Sequence, residues 1–337
     1  MGQTNLFNTI TKLAKHLKYN SSLQKFNDVI DWEIFRDDLE PMYKYKQGKG
    51  GRPAYDPIMM LKILFLQVLY NLSDEQMEFQ LLDRRSFQEF IGVCEYDLIP
   101  DARTIWVFKE RLREEKLDKI LFDKINYYIK KNKCMIRSGF IIDASIVEVP
   151  VQHNSKEEND QLQKGIIPEK WKQKPFKLAQ KDMQASFTKK HNKSYYGYKH
   201  HIIVDEKTKL IHDYEVTTAK VHDSVVAPEL LEELPKNSKI IADSAYHSDE
   251  IRYIIKKKNL DAKICAKGNR FHKLTQEEKK FNTEISKSRA RIEHVFADIR
   301  SFGGNFIRRV GLERVKFQLF LVSFTYNLRR FRYLLST

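Results

Sequence analysis

Three carboxylates in this sequence are placed where a hard metal ion could use them. The first is Asp143, inside the run Gly139-Phe140-Ile141-Ile142-Asp143-Ala144-Ser145-Ile146-Val147-Glu148. Val, Ile and Phe favour a pleated, buried surface, so the run reads as a central strand over 140–149. A lone carboxylate in such a strand is costly to ionise, so Asp143 needs a cationic partner. The second is Asp243, which closes the apolar run Lys239-Ile240-Ile241-Ala242 just before a helix. Ligand groups in open α/β sheets gather at such carboxyl ends of strands. The third is Glu293, in the helical stretch from Ser286 to Arg300. At about 100° per residue, Ile292, Val295, Phe296 and Ile299 form one apolar stripe. Arg289, Glu293 and Arg300 fall beside it in a sector of about 40°. A plain Arg–Glu surface pair would show the same spacing on any helix, but a place at the edge of the buried stripe favours a site.

Three such groups suit a pair of Mg²⁺ ions, with Mn²⁺ as a substitute. Mg²⁺ takes hard oxygen ligands and bridges to substrate phosphate. Two ions about 4 Å apart activate the attacking oxygen and stabilise the leaving oxygen in phosphodiester cleavage. Arg289 and Arg300 would then hold DNA phosphates.

Asp143 and Asp243 lie 100 residues apart, so only the fold can bring them together. Strands are expected at 140–149, 200–205, 210–219, 239–245 and 261–266, and helices near 226–234, 248–258 and 287–300. Three strands followed by strand–helix alternation match a ribonuclease-H-like mixed sheet flanked by helices, in an α/β domain over 134–337. Residues 151–194 form a polar insert between the first two strands, read as a long surface excursion that orders on DNA. The apolar run from Gly311 to Leu328 is expected to be a helix closing the core.

An all-helical domain over 51–133 precedes this one. Asp56-Pro57 opens a first helix, Ser73-Asp74-Glu75-Gln76 is a capping box, Ser86 to Val93 is a short helix, and Asp101 caps a fourth. Short helices and tight turns suit helix-turn-helix DNA binding, and equally a packing or dimerisation domain. Residues 1–50 are an N-terminal region with basic linker; the basic, Gly-rich stretch Lys44 to Pro53 spans its boundary, and Arg52 there is a candidate phosphate contact.

Lys plus Arg number 60 against 45 Asp plus Glu, a net charge of +15. Such an excess points to a polyanionic partner, though a merely soluble basic protein has the same balance. The three cysteines form no CxxC pair, which argues against a zinc ribbon and a disulfide framework. Free thiols and the lack of a secretory signal suit the cytoplasm, in association with the nucleoid.

These residues resemble the DDE transposases of bacterial insertion sequences, in the group with a Tyr-Arg-Glu-Lys signature around its glutamate. Arg289 and Glu293 match the signature and Arg300 stands at its last position, an Arg for the Lys that keeps the charge; Ser286 replaces the Tyr. Gly51-Arg52-Pro53, Ile142-Asp143-Ala144-Ser145, Tyr196-Gly197-Tyr198-Lys199, Val221-His222-Asp223-Ser224 and Ala242-Asp243-Ser244-Ala245-Tyr246 are similar to phrases of the same group. The resemblance runs from about residue 50 to the C-terminus. It implies that Asp143, Asp243 and Glu293 bind metal, and that the protein binds terminal inverted repeats of double-stranded DNA, cleaves element ends and joins the 3′-hydroxyls to target DNA. A homodimer is expected, since both ends must be handled together. A DNA-binding protein descended from a transposase, and a metal-dependent nuclease without joining, are the alternatives.

Other candidates have plainer readings. Glu148 is five residues from Asp143 and so faces the other side of the strand, outside the site. His222-Asp223 reads as a turn cap. His200 and His201 are adjacent, face opposite ways and form no metal pair. Tyr198 and Lys199, with Tyr195 and Tyr196, could meet DNA by stacking and phosphate pairing, or form a strand-entry aromatic cluster. Trp106 reads as core.

Overall fold

The structure is a computed structural model, described for residues 22–46, 53–94, 97–132, 134, 139–190, 192–268 and 273–336. It divides into two compact units, Met1–Cys134 with Phe324–Thr337, and Met135–Ser323. Arg52 and most of the basic linker lie outside the described residues.

The first unit is helical: α1 (Gln24–Val29), α2 (Arg36–Leu39), α3 (Pro57–Leu69), α4 (Asp74–Asp83), α5 (Arg85–Ile91), α6 (Ala102–Glu114) and α7 (Leu117–Lys131). Its helices start where side chains can satisfy orphan backbone donors. Asp56 accepts from Ile58 and Met59 at the start of α3, Ser73 and Gln76 form a reciprocal capping box on α4, and Asp101 accepts from Thr104 on α6. The α3 helix is buried along most of its length, its core positions including Leu61, Ile63, Leu64 and Leu66. Trp106 departs from the sequence expectation, being 42% exposed. Ile105, Phe108 and Leu112 take the buried face of α6, and a residue one step from Ile105 is turned away from it by about 100°.

The second unit is a six-stranded mixed sheet with helices. Its strands are β1 (Phe140–Glu148), β2 (Ser186–Lys190), β3 (Lys193–Asp205), β4 (Ile211–Thr218), β5 (Lys239–Ala242) and β6 (Asp261–Ile264). β1 runs antiparallel to β3, and β3 antiparallel to β4. On its other edge β1 is parallel to β5, and β5 to β6. Three antiparallel strands continued by two parallel ones form the ribonuclease-H-like sheet. Helices α11 (Asp223–Glu232) and α12 (Asp249–Lys258) join the later strands. Phe140, Ile142 and Ile203 of the sheet pack with Val226, Leu230, Ile251 and Ile254 of these helices.

The insert has more structure than a surface excursion. It holds α8 (Lys156–Gln163), α9 (Glu169–Lys172) and α10 (Pro175–Ala179), and then β2, which joins the sheet as an edge strand. Trp171 is fully buried and donates from Nε1 to Glu158 at 2.8 Å. Asp182, 3% exposed, fastens the insert to the unit: it accepts the Tyr198 hydroxyl and the backbone N–H groups of Gln184, Ala185 and Gly311.

Two long helices complete the chain. α13 (Gln276–Ser301) begins eleven residues before the expected 287, because Thr275 and Glu278 form a capping box there. α14 (Leu312–Ser336) starts in the second unit and ends in the first. Among the described residues, no helix is long and apolar enough to cross a membrane.

Candidate active site

The site lies along the edge of β1 that faces away from β3. β5 pairs with β1 only at Phe140 and Ile141. At the other end, Glu148 donates its N–H to the Asn305 carbonyl and accepts from Ile307 N, both at 2.9 Å. Between these contacts, among the described residues, one edge of β1 has no strand beside it. There a cavity of about 600 Å³ opens.

Asp143, Asp243 and Glu293 all line this cavity, as do Arg289 and Arg300. β1 supplies Asp143, 9% exposed. Its Oδ1 accepts from Ala144 N at 2.8 Å and its Oδ2 accepts from Arg289 Nη2 at 2.7 Å. Burial pushes the Asp143 carboxyl above the usual carboxylate range, against the pull of Arg289 and with a further push from Asp243. Asp243 follows β5 directly and caps the short turn Ser244–Tyr246, its Oδ1 accepting from Ala245 N at 2.8 Å. Its Oδ2 stands 3.8 Å from Arg289 Nη2. Burial works against the Arg289 charge, but Asp143 and Asp243 outweigh it and hold the guanidinium protonated more firmly than usual.

Glu148 corrects the sequence expectation, because it lines the same cavity as Asp143. The alternation of side chains holds, but the cavity wraps around the free edge of β1. Ala144, Ser145 and Ile146, consecutive residues facing both ways, all line it.

The donor set suits a hard divalent cation. Oxygens of Asp143 and Asp243, from two strands, converge on one positively charged nitrogen. Among the described residues, however, no group of three His, Cys, Asp or Glu side chains is close enough to hold a metal by itself. That is compatible with Mg²⁺, which is commonly held by one or two carboxylates together with substrate phosphates.

Other expected contacts sit away from the cavity. Tyr198 is fully buried among Val147, Val216 and Leu319, and its hydroxyl donates to Asp182, so its ring has no face to offer a base. Lys199 Nζ donates to the Val221 carbonyl at 2.7 Å and to Asp223 Oδ1 at 2.8 Å. His222 caps α11, accepting from Ser224 N. Ser286, at the position of the signature Tyr, donates to the Asn282 carbonyl.

Sequence reasoning missed Lys190, Lys193 and Asn305 as cavity residues, and left Tyr195 undecided. A hairpin signal was present for the first two, since Asn tolerates the left-handed backbone that Asn192 adopts at the turn (φ 62°).

The family model for a transposase DDE domain matches residues 135–328, and a second transposase-domain model matches residues 11–111. Solved structures similar to this chain include a piggyBac transposase synaptic complex with hairpin DNA, at 9% identity and a TM-score of 0.41, covering 90% of this chain and 74% of that one. A Mos1 transposase paired-end complex with the left transposon end is similar at 11% identity and a TM-score of 0.20, covering 77% of this chain and 68% of that one. With more than half its length matched, and the sheet, helices and cavity described above, the chain belongs to the transposase DDE domain family: it is a DNA transposase.

Proposed function

We propose that this cavity cleaves the ends of a mobile element and joins the freed 3′-hydroxyls to target DNA, with Asp143, Asp243 and Glu293 as ligands for two Mg²⁺ ions. The observation that carries the reading is the convergence of three carboxylates and two arginines on one cavity, from strands and a helix distant in sequence. Mn²⁺ would serve in place of Mg²⁺, since both accept carboxylate oxygens. When bound, the ions would polarise the scissile phosphate and lower the pKa of the attacking water or hydroxyl.

The protein's own side chains have separate tasks. Arg289 balances the Asp143 and Asp243 charges and, with Arg300, offers donors to phosphate oxygens of the DNA backbone. Glu293 is carried on the same helix as both arginines, so one rigid element sets metal and phosphate positions together. The protein binds the terminal inverted repeats of double-stranded DNA and acts as a homodimer on paired ends, in the cytoplasm on the nucleoid.

Asp143→Ala tests the assignment. The expected result is retained binding to a duplex carrying the inverted repeat, with Mg²⁺-dependent end cleavage abolished. Full cleavage by that variant sinks the site assignment. A wild-type chain that binds ends and cuts none, with Mg²⁺ or Mn²⁺, points instead to a non-catalytic descendant. Incubating the cut ends with target DNA separates joining from cleavage alone.

A further inference from the structure

One wall of the cavity comes from the insert. The β2–β3 hairpin contributes Lys190, Lys193 and Tyr195. Side chains alternate along β3, so Lys193, Tyr195 and Gly197 share one face, the face of Glu148 opposite Gly197. Lys190 is the cross-strand partner of Lys193 and stands on that face too. Tyr196 and Tyr198 take the other face and pack in the core. The hairpin thus sends Tyr196 and Tyr198 inward and Lys190, Lys193 and Tyr195 into the site.

This arrangement is unfavourable without an anion. Like charges directly opposite on paired strands repel. Both lysines are exposed, and among the described residues neither pairs with a carboxylate, although four acidic side chains line the same cavity. Lys193 Nζ instead lies 4.9 Å over the Tyr195 ring. Two cations and an aromatic face side by side match the chemistry of one nucleic-acid strand, with phosphates for the lysines and a base for the ring.

The size of the cavity narrows the choice of ligand. Pockets of about 300–1,000 Å³ take ligands of drug size, and the cavity itself, at about 600 Å³, has room for a nucleotide or two. The wall is also held in place. Gly197 lets β3 close tightly on β1, and Asp182 ties the chain leading into β2 to Tyr198 and Gly311.

We infer, on the reading that this cavity cuts DNA, that the hairpin grips a single strand there: Lys190 and Lys193 hold its phosphates, and the Tyr195 ring stacks on an unpaired base beside the scissile bond. The DNA end is therefore opened locally before it is cut. Arg289 and Arg300 receive the strand from α13, and the hairpin receives it from the insert.

The test uses the full chain and two duplexes carrying the inverted repeat that flanks its gene, one fully paired and one mismatched at the terminal positions. Tyr195→Ala is expected to cleave the paired end roughly ten- to a hundredfold more slowly, in line with the worth of one base–aromatic stack. On the mismatched end it should recover most of that loss, and Tyr195→Phe should match the wild type on both. Tyr195→Ala cleaving the paired end normally, or losing equally on both ends, overturns the inference. Phosphate contact has its own measure. Lys190→Gln and Lys193→Gln should each reduce the slope of log affinity against log salt by roughly one, and an unchanged slope overturns that part. Asp143→Ala and wild type run alongside. If the wild type cuts neither duplex, the reading of the cavity itself fails. If it cuts both, Asp143→Ala cuts neither and Tyr195→Ala is unaffected, the hairpin inference alone fails.

Discussion

Arg289 donates from Nη2 to Oδ2 of Asp143 at 2.7 Å, and holds the same nitrogen 3.8 Å from Oδ2 of Asp243. One side-chain cation thus answers two carboxylates carried by different strands. The Arg289 and Asp143 side chains are only 21% and 12% exposed, so solvent screens this pair less than a surface salt bridge. Arg289→Ala leaves Asp143 withdrawn from water without its cation, and should cost about 1–3 kcal/mol of folding stability. Arg289→Ala combined with Asp143→Asn should cost less than the sum of the single changes, because the second removes the charge that the first strands. Urea melts of the four proteins measure this. Strict additivity would show that the two side chains are not coupled.

Gly197 fixes how closely β3 approaches the end of β1. Its φ is +151°, and a Cβ there would lie 2.1 Å from the Val147 carbonyl oxygen and 3.2 Å from Glu148 Cα. No rotamer relieves such a clash, since both neighbours are backbone atoms. Gly197→Ala should therefore destabilise the fold by on the order of 3 kcal/mol and push the hairpin from the cavity edge. A thermal melt of the variant checks the first effect, and a variant as stable as wild type contradicts it.

Some of this was legible in the sequence, for identifiable reasons. β1 and β5 announce themselves as short apolar runs, and α13 shows a stripe of period 3.6 with Arg289, Glu293 and Arg300 beside it. Such patterns are local, so one sequence is enough to see them. The cavity is not local. It exists because β5 leaves β1 after Ile141, and the point where a parallel strand departs is written in no single run of residues. Glu148 was misread for that reason: alternation says which face a side chain takes, but not that a site will wrap the strand's edge. The start of the long strand β3 was hidden differently. Lys193-Ser194-Tyr195-Tyr196 is polar and solvated at one end and buried at the other, so it reads as the tail of an insert. Trp106 shows the same limit, because being apolar does not say which side of a helix packs.

The paired histidines give the second unit an acid limit. His200 and His201 are each 1% exposed. Burial lowers the His200 pKa to about 3, with His201 adding to the effect. Burial lowers that of His201 to about 4, although Asp223, 3.9 Å away, works the other way and Lys199 reinforces the drop. Both rings are therefore neutral in the folded protein and take up a proton on unfolding near pH 6.5. Groups with depressed histidine pKa values contribute stability that is present above the unfolded value and lost as pH falls towards the folded one. Stability should hold above pH 6.5 and then fall by on the order of 3 kcal/mol per ring as pH drops to about 4. His201→Gln should flatten this part of the curve by one ring's share. Denaturant melts from pH 8 to pH 4 read it out, and a profile level down to pH 4 contradicts the prediction.

Asp182 shows how an insert built mostly of polar side chains stays ordered. Its Oδ1 accepts from Gln184 N at 3.0 Å and Ala185 N at 2.9 Å, its Oδ2 accepts from Gly311 N at 3.1 Å, and the Tyr198 hydroxyl lies 2.8 Å from both oxygens. A buried carboxylate with this many donors is fully used, and its charge strengthens each bond. The insert has few apolar anchors of its own apart from Trp171, so this knot, the β2–β3 ladder and the bonds that Gln184 and Ser186 accept from Leu312 N and Lys220 N join it to the rest of the unit. Asp182→Asn turns an amide N–H₂ group towards donors and should cost about 2–4 kcal/mol, because at least one buried donor loses its acceptor. The loss should be local before it is global. Limited proteolysis should cut within residues 151–190 at protease levels that leave the wild type intact. Cleavage of the variant elsewhere first, or no change in its digestion pattern, would show that the insert is held by something other than Asp182.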